Sequence, residues 1–287
     1  LLNGLERLEY RGYDSAGIAV INGDKIDIIK SKGRLACLRE KVENNRPAGT
    51  CGIGHTRWAT HGEPSDINAH PHFDTAKNIA IVHNGLIENY QALKTQLIKK
   101  GIKFVSETDT EVVAQLLGVN YKGDIIEAIT KTLSQLRGSY ALGVMCTDYP
   151  GKIFCTRKDS PLVVGKGKNE SYLASDIPAI LEYTREIYLL DEGDIAVLDR
   201  GNIEFFDLLG SEITKEPMTV SWDVKTAEKG GYKHFMMKEM HEQPTALKDT
   251  FSPYTDGKNG KNILAGMPLP EDYVRRLKHI SIVACGT

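Results

Sequence analysis

The sequence predicts an α+β fold with layered sheets and helices on the outside. Apolar residues with helical spacing are concentrated between 88 and 135, whereas short β-rich runs precede them, from 16 to 83, and follow them, from 139 to 206. Helices and strands that are segregated along the chain are typical of α+β domains. The length of 287 residues allows one large domain or two ordinary ones.

The first part of the chain is predicted to contain a helix, a hairpin and two further strands. The opening leucines at positions 1, 5 and 8 have the spacing of an amphipathic helix. The turn sequence Asn22-Gly23-Asp24 separates two β-rich runs, which predicts a hairpin of strands at 16–20 and 25–30. Two more apolar runs end beside polar residues and glycines, and strands are expected there at 51–56 and 78–83.

The middle of the chain has helical spacing that predicts three helices, at 88–100, 109–118 and 124–135. Thr108 and Glu111 have the spacing of a capping box, which marks the start of the second helix. Apolar runs separated by glycines or charged residues follow. They predict strands at 139–146, 152–156, 162–165, 171–175, 186–190, 194–198 and 202–206.

The patterning weakens after the last of these strands and indicates a change of domain. We expect a first domain, a linker and the start of a second domain at 1–224, 225–233 and 234–287. Helical spacing predicts a helix over 234–251. The apolar run at 280–284 predicts a buried strand that enters a ligand-binding turn at Cys285-Gly286-Thr287.

The composition is typical of a soluble globular protein. Hydrophobic residues make up 41% and charged residues 26%, with a net charge of −2, so a nucleic acid partner is not expected. Apolar stretches are too short to span a bilayer and no signal-peptide pattern opens the chain, so we expect no membrane association and a cytoplasmic location. The five cysteines form no CxxC pair, which favours neither a disulfide framework nor a structural zinc site.

Reactive side chains are concentrated in three segments that follow strands or open a helix, at 55–72, 83–89 and 107–110. Arg57 offers a fork that matches a carboxylate, and Asp109 can receive an ammonium group. An asparagine side chain beside a glycine N–H, as at Asn84-Gly85, can stabilise an oxyanion. Together these groups describe a pocket for an amino acid whose side-chain carbonyl is attacked.

Each of these segments also permits a simpler interpretation. His70-Pro71-His72 could belong to a metal site, but helical His-x-x-x-His spacing is missing and no second cluster completes a ligand set. A single histidine is more often structural, Asn-Gly is more often a turn, and Arg-Trp is more often a packing pair. The combination of segments favours a catalytic pocket, for which no metal and no cofactor is expected.

Several segments are similar to signatures of the hexosephosphate amidotransferases. The longest read RGYDSAG at 11–17 and RWATHG at 57–62, and both are specific because of their length. Three shorter segments match in the same order and spacing, at 68–72, 83–85 and 106–111. The ending Ala-Cys-Gly-Thr resembles the entry into the sugar-phosphate isomerase domain of that family. The resemblance therefore extends over essentially the whole chain.

The resemblance implies a class II glutamine amidotransferase domain with an N-terminal nucleophile (Ntn), built as a four-layer αββα sandwich. The first elements of an α/β sugar-isomerase (SIS) domain would follow it. The implied activity is glutamine hydrolysis that delivers ammonia to fructose 6-phosphate, which yields glucosamine 6-phosphate and glutamate as the first step of amino-sugar synthesis. The implied partners are glutamine and fructose 6-phosphate, with formation of a homo-oligomer through the isomerase domain.

The resemblance also assigns roles to matched residues. Arg57 would bind the α-carboxylate of glutamine, Asp109 its α-ammonium group, and Asn84 with the Gly85 N–H would form the oxyanion hole. Thr60 and His61 would line the glutamine site, and Trp58 would gate the passage of ammonia. Arg11 and Gly12 would seat the nucleophile. Thr287 would reach the sugar phosphate.

The implied nucleophile is a cysteine at the mature amino terminus, whose α-amino group acts as the base because its pKa is about 7.7–8.0. Position 1 is Leu rather than Met and the chain stops directly after an apolar run, so we interpret both ends as truncations. The Cys-Gly-Ile segment is expected before Leu1, and without it we expect the fragment itself to be inactive. Cys51-Gly52-Ile53 imitates that segment, but the glutamine clamp follows it directly. Cys51 is therefore interpreted as a strand residue.

Two other functions stay open. A different Ntn amidotransferase, of the purine or asparagine branch, is disfavoured by the RGYDSAG segment and by the Ala-Cys-Gly-Thr ending. A non-catalytic glutamine-binding or metal-binding module on the same scaffold would be favoured if the gene starts near Leu1.

Overall fold

The structure, a computed structural model, describes residues 1–221, 230–252 and 270–281. The chain divides into two compact units, Leu1–Ala227 and Glu228–Thr287. Strands within the described residues belong to the first unit: β1 (Ser15–Asn22), β2 (Lys25–Lys32), β3 (Gly52–Arg57), β4 (His72–Phe73), β5 (Ile79–Ile87), β6 (Gly138–Cys146), β7 (Lys152–Lys158), β8 (Val163–Lys166), β9 (Ser171–Ala174), β10 (Glu186–Leu189), β11 (Ile195–Asp199), β12 (Asn202–Phe206), β13 (Glu212–Ile213) and β14 (Met218–Thr219).

Five described α-helices belong to the first unit and two to the second. They are α1 (Leu2–Glu6), α2 (Leu35–Asn44), α3 (Tyr90–Lys99), α4 (Asp109–Asn120), α5 (Ile125–Leu133), α6 (Phe235–Phe251) and α7 (Glu271–Arg275). Short 3-10 helices lie at Glu9–Arg11 and Ile177–Ala179. None of the helices in the described ranges is long and apolar enough to cross a membrane.

The strands form three antiparallel sheets. The first has the order β2-β1-β3, the second β14-β10-β8-β9, and the third has seven strands in the order β13-β12-β11-β7-β6-β5-β4. Within the described residues β3 and β9 are edge strands, since each pairs with a neighbour on one side only. The first two sheets therefore each present an open edge.

Side-chain alternation along β1 places the first sheet between a helix and the seven-stranded sheet. Ile18 and Val20 pack with leucines of α2, whereas Ala19 and Ile21 pack with Ala80 and other residues of β5 and β6. Because successive side chains of a strand point to opposite faces, one face of the sheet contacts helix and the other contacts sheet.

The second sheet covers another part of the same face of the seven-stranded sheet. Val164 and Tyr188 pack against Ala141, Ala196 and Leu198. Its opposite face is covered by the short helix at 177–179. On the far side of the seven-stranded sheet, its alternate residues pack against α3, α4 and α5: Ile79, Ile81, Ile87, Leu142, Val144, Phe154, Ile195 and Val197. These contacts confirm the four-layer αββα sandwich.

The structure confirms the elements that the periodicity predicted in the first unit, within a few residues at each end. It adds α2, the two-residue strands β4, β13 and β14, and the short helix α7. The strand expected at 280–284 is not formed at 280 and 281, and its remaining residues lie outside the described ones, as do Cys285 and Thr287. Helix α6 matches the helix predicted at 234–251.

Candidate active site

A cavity of about 840 Å³ lies beside the open edges of the first and second sheets. Every residue of β3 and every residue of β9 lines it. Residues of β5 and β6 contribute Val82 to Gly85, Ala141 and Gly143, and the start of α4 contributes Thr108, Asp109 and Thr110. The cavity is thus bordered by residues of four strands and by the N-terminus of helix α4.

Eight of the residues that the sequence singled out line this one cavity. They are Gly12, Arg57, Trp58, Thr60, His61, Asn84, Gly85 and Asp109. Two others cannot be located in the same way: Thr287 lies outside the described residues, and for Arg11 the structure describes the backbone, at the end of a 3-10 helix, but not the side chain. Segments that are far apart in sequence therefore meet at one site.

Arg57 is almost completely buried at the end of β3, with 4% of its side chain exposed. Its guanidinium donates to the carbonyl oxygens of His61 and Gly62, the latter at 2.9 Å, and lies 3.5 Å from the Asp14 carboxylate. Burial lowers the pKa of Arg57, and the carboxylates of Asp14 and Asp109 oppose this. A guanidinium has five N–H donors, so three recorded bonds leave two for a ligand.

Asp109 is the first residue of α4, where its carboxylate lies at the positive end of the helix dipole. It is buried and accepts a hydrogen bond of 2.9 Å from the Ile87 N–H. Thr108 caps the helix, since its hydroxyl accepts the Glu111 N–H at 3.2 Å. Glu111 does not complete a capping box in the predicted way, because its carboxylate accepts from the Val105 and Ser106 N–H groups instead.

Asn84 and Gly85 are adjacent on β5 and face the cavity. Asn84 Oδ1 lies 2.8 Å from Nε2 of His55, which projects from β3 in the opposing sheet. Gly85 has φ of 129°, in the range that favours glycine. A Cβ atom there would lie 2.2 Å from the Ser139 carbonyl oxygen. Only glycine therefore permits this course of the backbone.

Four buried histidines lie near these residues: His55, His70, His72 and His83. Three of them, His55, His70 and His83, also line the cavity. His55 stacks on His70 with ring centroids 4.3 Å apart, and His70 meets His72 edge-on at 5.1 Å. His72 Nε2 lies 3.1 Å from the Thr108 hydroxyl and His83 Nδ1 lies 2.9 Å from the Thr110 hydroxyl. Among the described residues, no three or more histidine, cysteine or acidic side chains are arranged so that they could hold a metal ion.

The remaining cavity residues that the sequence singled out, Gly12, Trp58, Thr60 and His61, are more exposed. The Trp58 ring is 68% exposed and lies over Gly12, where a Cβ atom would come within 2.3 Å of it. The His61 ring meets Tyr90 edge-on at 5.0 Å, and its Nδ1 lies 3.4 Å from the Thr60 hydroxyl. These side chains form the outer wall of the cavity.

The cysteines in the described part of the chain lie away from the cavity lining. Cys51 directly precedes β3, and its Sγ contacts the Lys152 carbonyl oxygen at 3.7 Å. Burial raises the pKa of the Cys51 thiol to about 11, so little thiolate forms near neutral pH. Cys51 is thus a packing residue beside the strand rather than a nucleophile.

The sequence motifs contain Asp14 and His55 without indicating a role for either, and Ser160 lies in none of them. Asp14 pairs with Arg57 and also accepts the Ala59 N–H. Ser160 lines the cavity, and its Oγ would be 3.0 Å from a Cβ at Gly85. The RGYDSAG segment could have drawn attention to Asp14, whereas nothing in the sequence marked Ser160.

We expect the folded state to lose stability as the pH falls from about 6.5 towards about 4. A histidine in the unfolded chain has a pKa of about 6.5, whereas burial lowers the pKa of His55 to about 4. The unfolded state therefore takes up the proton first. The neutral His55 therefore contributes about 3 kcal/mol to the free energy of unfolding. This contribution is fully present above about pH 6.5 and is lost between about pH 6.5 and about pH 4. Burial lowers the pKa of His70 and His72 in the same direction.

Hydrogen exchange of peptides that cover β3 and β5, at about pH 7.5 and about pH 5.5, measures this effect in the full-length product of the gene. After correction for intrinsic exchange rates, the opening free energy should be lower at the acidic pH. His55→Gln has no ring to titrate and should reduce the difference. Equal opening free energies at both pH values would contradict the expectation.

Residues 55–182 match a family model described as a glutamine amidotransferase domain. The whole chain is 55% identical to glutamine–fructose-6-phosphate aminotransferase (isomerizing) of Caldanaerobacter subterraneus and 48% identical to the protein of the same name from Clostridium acetobutylicum. In both cases the match covers 100% of this chain and 47% of the relative. The chain spans about half the length of these relatives.

Two solved structures share the fold. Glutamine phosphoribosylpyrophosphate amidotransferase from B. subtilis superposes with a TM-score of 0.63 at 25% identity, over 72% of this chain and 46% of that one. A structure described as the allosteric regulatory enzyme of purine biosynthesis gives 0.64 at 26% identity, over 72% of this chain and 45% of that one.

Proposed function

Since this chain belongs to the glutamine amidotransferases with the class II, Ntn-hydrolase fold, we propose that it is the glutamine-hydrolysing part of a glutamine:fructose-6-phosphate amidotransferase. Glutamine would release ammonia and glutamate here, and the ammonia would convert fructose 6-phosphate to glucosamine 6-phosphate elsewhere in the protein. The resemblance also supports a cytoplasmic location and self-association through the isomerase part. Domain limits of 1–224, 225–233 and 234–287 belong to the same proposal.

One observation carries the glutaminase part of the proposal: a cationic, an anionic and an amide group line the same cavity. Arg57 keeps two N–H groups for a carboxylate, and Asp109 presents a buried carboxylate at a helix N-terminus. On β5, the Asn84 side-chain amide and the Gly85 backbone N–H would supply donors to the same cavity. A free α-amino acid with a side-chain amide has a carboxylate and an ammonium group at one end, which match Arg57 and Asp109. Its amide carbonyl at the other end becomes an oxyanion when it is attacked.

Each remaining role follows from position in the cavity. Thr60 and His61 would line the glutamine site, and the exposed Trp58 ring would gate the exit of ammonia. Gly12, with Arg11 beside it, would seat the nucleophile, and Thr287 would reach the sugar phosphate. The thiol nucleophile would come from a segment before Leu1, because the cysteines of the described residues do not line the cavity.

Sequence identity favours the hexosephosphate branch over the purine branch of these enzymes. The relatives named as glutamine–fructose-6-phosphate aminotransferase are 46–55% identical along the whole chain, whereas the two purine-branch structures are 25–26% identical over 72% of it. The histidines hydrogen-bond to Asn84 and to threonine hydroxyls, which supports a structural interpretation of them rather than a metal-binding module.

Asp109→Asn in the full-length product should raise KM for glutamine by about 10- to 100-fold, because a charge-assisted bond to the α-ammonium group is worth about 1.5–3 kcal/mol. The substituted amide oxygen can still accept the Ile87 N–H, so the start of α4 should remain folded. Glutaramate, which lacks the α-amino group, should be hydrolysed equally poorly by both proteins. Glutamate release measures the first effect, and ammonia release measures hydrolysis of both amides.

Asp24→Asn is the matched control, because Asp24 is exposed in the turn between β1 and β2. It removes the same charge far from the cavity and should leave KM unchanged. An unchanged KM for glutamine in Asp109→Asn would remove the ammonium role from Asp109. Absence of glutamate release from the unsubstituted full-length protein would instead reject the proposed function.

A further inference from the structure

We propose that His55 is a positioning residue of the oxyanion hole: its imidazole donates from Nε2 to Asn84 Oδ1 and so directs the Asn84 Nδ2 amide towards the reacting carbonyl. The inference rests on the proposed glutamine hydrolysis, since Asn84 has an oxyanion to stabilise only in that reaction.

The contact joins two sheets that face each other. His55 lies on β3 on the same inward-facing side as Ile53 and Arg57, because alternate residues of this strand are buried. Asn84 lies on β5 of the seven-stranded sheet, and the Nε2 to Oδ1 distance is 2.8 Å. A bond of this length between rigid strands restricts the rotation of the Asn84 side chain.

The protonation of His55 determines what the contact can do. Burial lowers the pKa of His55 to about 4, and the hydrogen bond to Asn84 is the largest opposing cause, so the ring is neutral near pH 7 and carries one N–H. Nδ1 is buried and makes no hydrogen bond of normal distance and angle among the described residues, although a weaker contact with the His83 backbone also raises the pKa of His55. A proton on Nε2 has the Asn84 oxygen at 2.8 Å as its acceptor, whereas a proton on Nδ1 would have only that weaker contact.

The Asn84 amide has two possible orientations with opposite consequences. With Oδ1 turned to His55, the Nδ2 group and its N–H donors are turned away from His55 and can face the cavity that Asn84 lines. In the reversed orientation the carbonyl oxygen would face the developing oxyanion and repel it. A donor at His55 Nε2 selects the first orientation, because a second donor at Nδ2 cannot pair with it.

Stacking restrains the imidazole itself. The rings of His55 and His70 lie nearly parallel, with centroids 4.3 Å apart and an interplanar angle of 25°. His70 Nδ1 in turn lies 3.4 Å from the His83 backbone N–H, which can donate to it. Rotation of His55 would have to displace this stack, so the donor direction is held before substrate arrives.

The test compares two substitutions of His55 in the full-length protein. His55→Phe keeps an aromatic ring for the stack and removes the donor, whereas His55→Gln keeps an N–H donor and removes the ring. We expect His55→Phe to lower kcat for glutamate release by about 10- to 100-fold, by analogy with the loss at metal sites when an outer group that orients a ligand is removed. KM for glutamine should stay within about twofold, and His55→Gln should recover part of kcat.

A double-mutant cycle with Asn84→Ala separates positioning from packing. If His55 acts through Asn84, adding His55→Phe to Asn84→Ala should not lower kcat further, because no amide is left to orient. Independent, multiplicative losses would overturn the proposal, as would an unchanged kcat in folded His55→Phe. Circular dichroism of each variant checks folding.

A measurement on the unsubstituted protein keeps the proposal falsifiable if His55→Phe does not fold. The 15N shifts of histidine-labelled protein distinguish a proton on Nε2 from one on Nδ1, and a proton on His55 Nδ1 would overturn the assignment. A protein that hydrolyses no glutamine rejects the proposed function, and the positioning role with it. Normal hydrolysis with multiplicative losses rejects the positioning role alone.

Discussion

Asn84→Ala should lower kcat for glutamine hydrolysis by about 100- to 1000-fold, the range for removal of one side-chain donor from an oxyanion hole. KM for glutamine should change little, because the amide meets the substrate oxygen most strongly after charge has developed on it. Asn84→Asp should be at least as deleterious, since it replaces the N–H donors with a negative charge. Steady-state release of glutamate by the full-length protein measures both variants.

Asn202→Ala is the control for this experiment. Asn202 is exposed at the turn between β11 and β12 and pairs with Glu204, so its loss should leave kcat unchanged. If Asn84→Ala retains kcat within about threefold of the unsubstituted protein, Asn84 is not the oxyanion donor. A rise in KM without a fall in kcat would instead assign it to ground-state binding.

Gly85→Ala should disrupt both the local fold and the reaction. Its Cβ atom would lie 2.2 Å from the Ser139 carbonyl oxygen and 2.7 Å from the carbonyl carbon, and both belong to the paired strand β6. The φ of 129° alone costs a residue with a side chain about 1–3 kcal/mol. Because backbone must move, the Gly85 N–H should leave its place and kcat should fall by at least about 100-fold.

Gly101→Ala is the control that separates backbone strain at a positive φ from a steric clash of the added Cβ atom. Gly101 also has a positive φ, 86°, but nothing lies within 4 Å of the added Cβ atom. We expect it to cost about 1 kcal/mol of stability and to leave kcat unchanged. Hydrogen exchange of β5 and β6 should increase in Gly85→Ala alone. Unaltered exchange and activity in Gly85→Ala would contradict the close approach described for this position.

Secondary structure in the first unit was predictable because its sheets and helices bury one face and leave regular apolar patterns. Helix α2 was missed because only Leu35 and Leu38 are buried in its ten residues. The strands β4, β13 and β14 have two residues each, too few to establish a period. The pairing of the sheets into layers followed from the resemblance, not from the patterns.

The sequence was sufficient to predict which residues form the site but not which of their side chains contact one another. Motif residues such as Arg57, Asn84 and Asp109 do line one cavity. The bond between His55 and Asn84 joins residues 29 positions apart in two different sheets, and the pair of Asp14 with Arg57 spans 43 positions. The first contact depends on how two sheets stack and the second on how β1 pairs with β3, and periodicity specifies neither.

The open edges of β3 and β9 have a consequence for colloidal behaviour. An unpaired edge strand displays a row of backbone donors and acceptors on which another molecule can add a strand, the step from which aggregates grow. The four residues of β9 include no charge and no proline, the features that usually block such addition. The edge of β9 is therefore the less protected of the two, and we expect the tendency of the isolated chain to precipitate to rise with concentration.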